Sequence, residues 1–549
     1  MSKTTKAALP VLFLMFFGLM GCQTNTTILA AGLQPAPTVF SGMSAQTPTQ
    51  SARTEKPKAN PHGNVVQVDI SQNAHPISPL IYGVSGGNSE YLQSLRPALI
   101  SWGGNPSTRY NWQIGNAWNA GKDWVYKNVN YGYKDGVSAA DEFFQTAKKL
   151  GITTRLAIPT LGWVAKDRTT CSFPKADGSC GVAMGANCKQ PGAIADPNRA
   201  NVPSNPDTIS QWMVHLKDQG LVPDFIAMDN EPELWGYTHY DVHPNCTTFE
   251  EVLTKYQTYA DTVRKVLPQA ELVGPASCCW YSYWNTAPGP VDRKGSPPTD
   301  YIAWFLYKMR QHDEATGQRS LDVLDLHFYP QSGVHNKKTD PETNARRLRS
   351  TRALWDPSYT DESWIKQPID FIPRMSKLID KYYPGTRLGI SEWNFGADDN
   401  INGALAIADV LGIFGHENVY YATYWQFPAP KSPGFYALKM YTNYDDQGSR
   451  FGGSSVWADS NNIDTISSYA AYDKQNGRLQ IMLINKRPDQ PISLNVQLSG
   501  YTSGPSATLY RYSAQNPDEI VTSEFSVTPD DFQVTLPPSS ISLIILASK

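Results

Sequence analysis

Eight short apolar runs, each bounded by turn residues, restrict the fold of this chain more than any other feature. They are Ile77–Val84, Ala98–Trp102, Thr154–Pro159, Asp224–Asp229, Glu271–Pro275, Val323–Tyr329, Arg387–Ser391 and Val419–Trp425. Many of the intervals carry helical periodicity, as in Ala139–Leu150, Asp207–Gln219, Phe249–Val266, Tyr301–His312 and Gly403–Phe414. Short buried strands alternating with amphipathic helices predict a (β/α)8 barrel, an architecture of about 250 residues before insertions. An open doubly wound sheet is the competing arrangement, but no Gly-rich phosphate loop supports it. From about Tyr441 the helical period is lost. Period-two stretches take over at Ser467–Tyr472, Arg478–Ile484, Ile492–Leu498, Ala507–Tyr512, Phe532–Leu536 and Ser540–Leu546, which predicts an antiparallel β-sandwich. Val65–Ile70 alternates in the same way and is expected to add a strand to that sandwich. The reading therefore gives an N-terminal strand segment at 63–76, a barrel over 77–440 and a sandwich over 441–549.

The first 62 residues belong to neither body. Lys3 and Lys6 precede an apolar stretch from Ala7 to Met20, which ends in Leu19-Met20-Gly21-Cys22. A basic start and a short apolar core describe an export signal rather than a membrane span. The small residue before Cys22 resembles a bacterial lipobox, so 1–22 reads as a lipoprotein leader with Cys22 as the lipid-carrying residue. Gln23 follows, rather than an Asp that would favour inner-membrane retention, so an outer-membrane, cell-surface lipoprotein is expected. Residues 23–62, rich in Ser, Thr, Gln, Ala and Pro, read as a disordered tether. No later run reaches the roughly 18 apolar residues of a span, so membrane contact is expected through the lipid anchor only. Six further cysteines, at 171, 180, 188, 246, 278 and 279, suggest disulfides in an exported chain, without choosing their pairing. Cys171, Cys180 and Cys188 fall in one Gly- and Asn-rich insertion, read as a stapled surface loop. A zinc site there lacks both a CxxC pair and histidine.

The charge balance argues against nucleic acid as a partner: 47 Lys and Arg face 50 Asp and Glu, for a net charge of −3. The 15 Trp and 29 Tyr suit either a large aromatic core or flat ligands such as sugar rings. In a barrel, chemistry sits at the C-terminal strand ends. The fourth strand ends Asp229-Asn230-Glu231-Pro232-Glu233 and the seventh ends Ser391-Glu392-Trp393-Asn394. Two carboxylates then face each other across one mouth. A retaining glycosidase needs such a pair about 5–5.5 Å apart, one protonated and one charged.

These segments resemble glycoside hydrolase family 44. The resemblance is carried by Trp102-Gly103-Gly104-Asn105 with Thr108-Arg109-Tyr110-Asn111-Trp112, and by Leu161-Gly162-Trp163-Val164-Ala165-Lys166-Asp167. It continues from Asp229 through Leu234-Trp235 to Asp241-Val242-His243-Pro244, then through Leu324-Asp325-Leu326-His327-Phe328-Tyr329-Pro330, Ser391-Glu392-Trp393-Asn394 and Leu411-Gly412-Ile413-Phe414-Gly415. It covers about residues 63–549. It implies an endo-acting β-1,4-glucanase working on xyloglucan or soluble cellulose, with Glu231 as general acid/base and Glu392 as nucleophile. Asn230 is placed to bind the hydroxyl beside the anomeric carbon, and His327 and Tyr329 to position the nucleophile or the sugar. Trp425 is a candidate stacking floor, and Trp163, Trp235 and Trp393 are candidate walls. Ser101, before Trp102, stands where relatives are expected to carry a larger or basic residue. The cysteine-rich insertion and Cys278-Cys279 look additional to the family pattern.

No cofactor and no catalytic metal is expected, since no HExxH spacing occurs. A structural calcium is a minor candidate at Asp398-Asp399-Asn400-Ile401-Asn402-Gly403 with Asp409. A serine hydrolase elbow is absent. The expected partner is a polysaccharide, bound by a monomer. The alternatives are a cell-surface lipoprotein that binds glycans without cleaving them, or the same enzyme class acting on xylan or mannan.

Overall fold

The computed structural model describes residues 64–130, 138–181, 185–293 and 297–549. The leader, Cys22 and the tether over 23–62 lie outside the described residues, as does part of the cysteine-rich insertion.

Strand β1 is Asn64–Asp69. The barrel strands follow as β2 (Gly83–Val84), β3 (Leu99–Trp102), β4 (Thr153–Ile158), β5 (Phe225–Met228), β6 (Glu271–Ser277), β7 (Val323–Phe328), β8 (Arg387–Trp393) and β9 (Tyr421–Tyr424). All eight pair in parallel and close in the order β5-β6-β7-β8-β9-β2-β3-β4. The helices are α1 (Ser89–Leu95), α2 (Ala139–Leu150), α3 (Pro206–Asp218), α4 (Phe249–Val266), α5 (Trp280–Trp284), α6 (Tyr301–Thr316), α7 (Pro341–Ser350), α8 (Phe371–Tyr382), α9 (Ile401–His416) and α10 (Pro433–Thr442). Their starts are chemically marked. Ser138, Asn205 and Thr248 each accept a backbone N–H three residues on, supplying an acceptor that the first helical turn lacks.

The first run is strand only at its end. Pro79–Ile81 forms a 3-10 turn instead, because Pro79 fixes the backbone and the Ser78 hydroxyl accepts the Leu80 N–H. At Gly83, a Cβ would meet the Ala422 carbonyl oxygen at 2.5 Å, so the narrow closure between β9 and β2 needs glycine. Leu99, Ala157, Phe225, Ala227, Val273, Val323 and Tyr421 make an apolar cluster.

The chain divides into two compact units. The first holds Ser78–Gly403 and Val419–Pro430; the second holds Ala404–Asn418, Lys431–Lys549 and, among the described residues, 64–77. Most of α9, expected as the barrel helix after the seventh strand, therefore groups with the second unit. The cause is chemical: Asp409 accepts the Tyr469 hydroxyl at 2.6 Å and pairs with Lys486 at 3.0 Å.

The second unit continues with β10 (Ser454–Ser460), β11 (Ile466–Asp473), β12 (Arg478–Asn485), β13 (Ile492–Ser499), β14 (Ser503–Ser513), β15 (Asn516–Ser526), β16 (Asp531–Leu536) and β17 (Ser540–Ser548). Its strand order is β15-β14-β17-β12-β11-β10-β1-β13-β16. β1 joins this sheet, antiparallel to β10 and parallel to β13. Two strands went unread in the sequence for physical reasons. β15 is exposed along nearly its whole length and shows no alternation, while β10 is built largely of Ser, Ala and Asp.

Candidate active site

Glu231 follows the end of β5, and Glu392 lies near the end of β8. His327 Nδ1, on β7, sits 2.9 Å from Glu231 Oε1 and 3.5 Å from Glu392 Oε2. The Tyr329 hydroxyl donates to Glu392 Oε2 at 2.9 Å. One donor atom each from Glu231, His327 and Glu392 lies within 4.8 Å of the other two. The two carboxyl groups therefore face each other at close range. The same three side chains are also close enough together to hold a cation, although their hydrogen bonds already engage those atoms.

A local irregularity turns Glu392 inward. Asp325 pairs in register with Gly389, but His327 pairs with Glu392, three residues on rather than two. Asp325 and His327, two apart on β7, share the inner face. Only the extra residue in β8 puts Glu392 on that face as well; a regular strand would turn it outward. β6 is interrupted in the same way around Ala276, at φ +55°, and the Ala276 carbonyl accepts the Glu231 N–H at 3.1 Å.

The turn that carries Glu231 is held in an unfavourable conformation. Asp229 at φ +75° and Glu231 at φ +44° are both left-handed, which costs roughly 1–2 kcal/mol per residue. Neighbouring loops supply the restraint. Buried Asp229 accepts the Thr108 hydroxyl at 2.6 Å and the N–H groups of Thr160 and Leu161 at 2.6 and 3.1 Å. Asn230 accepts the Gly104 N–H at 3.1 Å and donates to Asn105 Oδ1 at 3.2 Å. Arg109 makes two bonds to Asp241, at 2.7 and 2.9 Å, in a fully buried pair. The family-like segments around 102–112, 161–167 and 229–244 are thus parts of one clamp on this turn.

The electrostatics follow from burial. Burial pushes the Glu392 carboxyl up to about 7, and the Glu231 carboxylate adds to the rise. His327, the Tyr329 hydroxyl and the Arg155 charge oppose it. A third carboxyl, Glu233, is fully buried and pushed up to about 8 by burial, with Glu231 again adding and the Cys278 N–H opposing. Beneath the pair, Arg155 donates to Asp325 Oδ2 through Nε and Nη2, and to Ser101 Oγ through Nη1 at 3.2 Å. Ser101 is therefore an acceptor for the barrel's central guanidinium.

The aromatic candidates divide. Trp425 is half-buried and packs against Gly104, where a Cβ would lie 2.2 Å from its ring; this close approach, with φ +75°, requires glycine. Trp163 is half-buried beside Leu161 and Val242. Trp235 and Trp393 need correction as walls. They are 1% and 0% exposed and have no face left for a sugar. Trp235 lies in the Leu161–Val242 cluster, and Trp393 packs edge-on to Tyr424. The sequence pattern did not single out Glu233, Arg155 or Asp325. A signal was present for the last two: each is a charged residue inside an apolar strand, and Asp325 stands two positions before His327 on the same face.

The calcium-like pattern does not form a continuous loop, because α9 starts at Ile401. Asn402 accepts from Arg347 at 2.8 Å, and Asp409 sits within the helix. Cys188 and Cys246 are bridged, tying the insertion to the segment after the Glu231 turn rather than to itself.

Comparison with known proteins agrees with this arrangement. The glycoside hydrolase family 44 model matches residues 117–332. Endoglucanase A of Paenibacillus lautus is 30% identical over 507 residues, covering 86% of this chain and 70% of that protein. A β-mannanase/endoglucanase A of Caldicellulosiruptor saccharolyticus is 30% identical over 496 residues, and the match spans only 37% of its length. Among solved structures, CelM2, a bifunctional glucanase-xylanase from a metagenome library, superposes with a TM-score of 0.83 at 33% identity, covering 89% of this chain and 99% of that one. A Paenibacillus polymyxa xyloglucanase solved with xyloglucan gives 0.77 at 28% identity, over 88% and 100% of the two chains. With a barrel-plus-sandwich fold shared along nearly the whole of those chains, this protein belongs to glycoside hydrolase family 44.

Proposed function

We propose that this protein is a retaining endo-β-1,4-glucanase acting on xyloglucan or soluble cellulose, with Glu231 as general acid/base and Glu392 as nucleophile. The observation that carries the reading is the approach of the two carboxyl groups, whose facing atoms lie within 4.8 Å. So close an approach suits direct attack of one carboxylate on the anomeric carbon, as a retaining glycosidase requires. Two acids this close do not both ionise cheaply, so the pair retains one proton near neutral pH.

In the first step Glu231 gives that proton to the glycosidic oxygen as Glu392 bonds to the anomeric carbon. Burial raises the Glu392 carboxyl in the free site, but the Tyr329 hydroxyl, the Arg155 charge and the positive charge developing at the anomeric carbon all favour its anion, which leaves the proton on Glu231 to be given to the leaving oxygen. In the second step Glu231 takes a proton from water, which displaces Glu392. Asn230, held by Gly104 and Asn105, is placed for the neighbouring sugar hydroxyl. Trp425 supplies the floor and Trp163 a wall.

The names of the relatives favour a glucan backbone. Two of them, a β-mannanase/endoglucanase and a glucanase-xylanase, also favour a second reading in which mannan or xylan is cleaved. Digestion of xyloglucan, carboxymethylcellulose, xylan and mannan, with product sizing and NMR of the first anomer released, decides between them. Mid-chain products with retained β configuration are expected from a glucan. Initial release of the α anomer overturns the retaining mechanism, and binding without new reducing ends would favour the non-catalytic alternative.

We further propose that the chain is exported and anchored through a lipid on Cys22. Radiolabelled fatty acid incorporated into the wild type but not into Cys22→Ser is the expected result. No helix among the described residues is long and apolar enough to cross a membrane.

A further inference from the structure

We propose that Cys278 and Cys279 close a disulfide between adjacent residues on the turn after β6, and that this ring holds one wall of the carboxylate site in place. The two sulfurs lie 2.7 Å apart, about 0.7 Å beyond a covalent S–S bond and well inside ordinary van der Waals contact. Both side chains are buried, at 3% and 4% exposure, so their contact is made inside packed structure rather than on a free loop. The other four cysteines already have partners in space. Cys188 is bridged to Cys246, and the Cys180 thiol hydrogen-bonds Cys171. That arrangement leaves 278 with 279 as the remaining pair among the six cysteines of the described residues.

The position gives the ring a task. The Cys278 N–H donates to Glu233 Oε1 at 2.8 Å, and Glu233 follows Glu231 by two residues on the strained turn. Two residues before Cys278, Ala276 receives the Glu231 N–H through its carbonyl. The segment 276–279 thus contacts the Glu231 turn at two points. A closed ring removes backbone freedom there.

The chemistry balances with a disulfide oxidant, either a protein disulfide or oxidised glutathione. One cysteine thiolate attacks the oxidant and releases its first thiol. The second thiolate then attacks the mixed disulfide and releases the other thiol. Two electrons pass to the oxidant, and the protein loses two hydrogens. The inference does not depend on which polysaccharide is cleaved; it draws on the export reading only for the source of that oxidant.

The test is a peptide map of the wild-type protein, purified without reductant and denatured in the presence of an alkylating reagent. The expected peptide bearing 278 and 279 is lighter by two hydrogens than its dithiol form and takes two alkyl groups only after reduction. Alkylation of both sulfurs without reduction, or a bridge from either of them to another cysteine, overturns the bridge. The Cys278→Ser/Cys279→Ser variant then tests positioning without opening the Cys188–Cys246 bond. Its kcat is expected to fall about tenfold with KM within about twofold, as for a slightly misplaced catalytic group. An unchanged kcat overturns the positioning role.

Discussion

Arg155, Asp325, His327 and Glu392 are all buried in the barrel, while the second unit buries Val66, Leu483, Val496, Leu536 and Ile544 in a cluster of apolar side chains. Both interiors exclude water, but they use the exclusion differently. In the sandwich it supplies stability directly, because each side chain leaves water and loses no polar partner. In the barrel it raises the strength of every charge interaction, so each charged group must be paired or protonated. Arg155 meets that demand through Asp325, and Glu392 meets it with a carboxyl pushed up to about 7 and the Tyr329 hydroxyl donating to it. A stable scaffold and a reactive site therefore come from one physical effect, separated by which residues are enclosed.

The strongest test of that contrast is to neutralise one acid of the pair. Glu231→Gln or Glu392→Gln is expected to lower kcat by about 10³-fold or more, while thermal unfolding stays at or above the wild-type midpoint because a neutral amide removes the cost of burying an ionisable acid. Retained turnover in either variant removes that residue from the mechanism. Breaking the floor pair should do the opposite. Asp325→Asn leaves a buried guanidinium without its counter-charge and is expected to destabilise by about 3–5 kcal/mol in denaturant unfolding. The apolar control is Leu483→Ala, fully buried on β12, expected to cost about 2–5 kcal/mol while kcat of the folded enzyme is unchanged. A loss of kcat there would show that the two interiors are not separable. Tyr329→Phe deletes one hydrogen bond to Glu392 and is expected to lower kcat/KM by about 10- to 100-fold, the range for a bond to a charged group.

The smallest effect concerns pH. Glu392 and Glu233 are pushed up to about 7 and about 8, from ordinary values of 4.5. A raised acid favours the folded state fully below its unfolded value and gives up that contribution as pH climbs through the folded one. Stability is thus expected to decline between about pH 5 and 8. Glu233→Gln removes one such acid, so the difference in melting temperature between those two pH values should narrow by on the order of a few degrees. Equal differences in variant and wild type would mean that Glu233 is not the protonated group.

Much of this was legible in the chain itself. The eight barrel runs could be read because buried parallel strands are continuously apolar and end in turn residues. β13 could be read because one face is buried and the other exposed. Glu231 and Glu392 stood out because each follows such a run. Trp235 and Trp393 misled because an aromatic next to a catalytic candidate looks the same in sequence whether it faces a ligand or the core. Arg155 and Asp325, 170 residues apart, declare themselves as a pair only when β4 and β7 enclose a common interior.

By itself, then, the order of residues determined the periodicities, and with them the elements, the two architectures and the strand ends where acids fall. Those are local properties, set by which side chains alternate along a few residues. The inward turn of Glu392 was decided elsewhere. It depends on one extra residue in β8, accommodated only because β7 on its flank fixes the register of both Asp325 and His327. The pairing of Cys188 with Cys246 across 58 residues is of the same kind. Alternation is written in the strand, but register is a relation between strands, and only the closed barrel sets it.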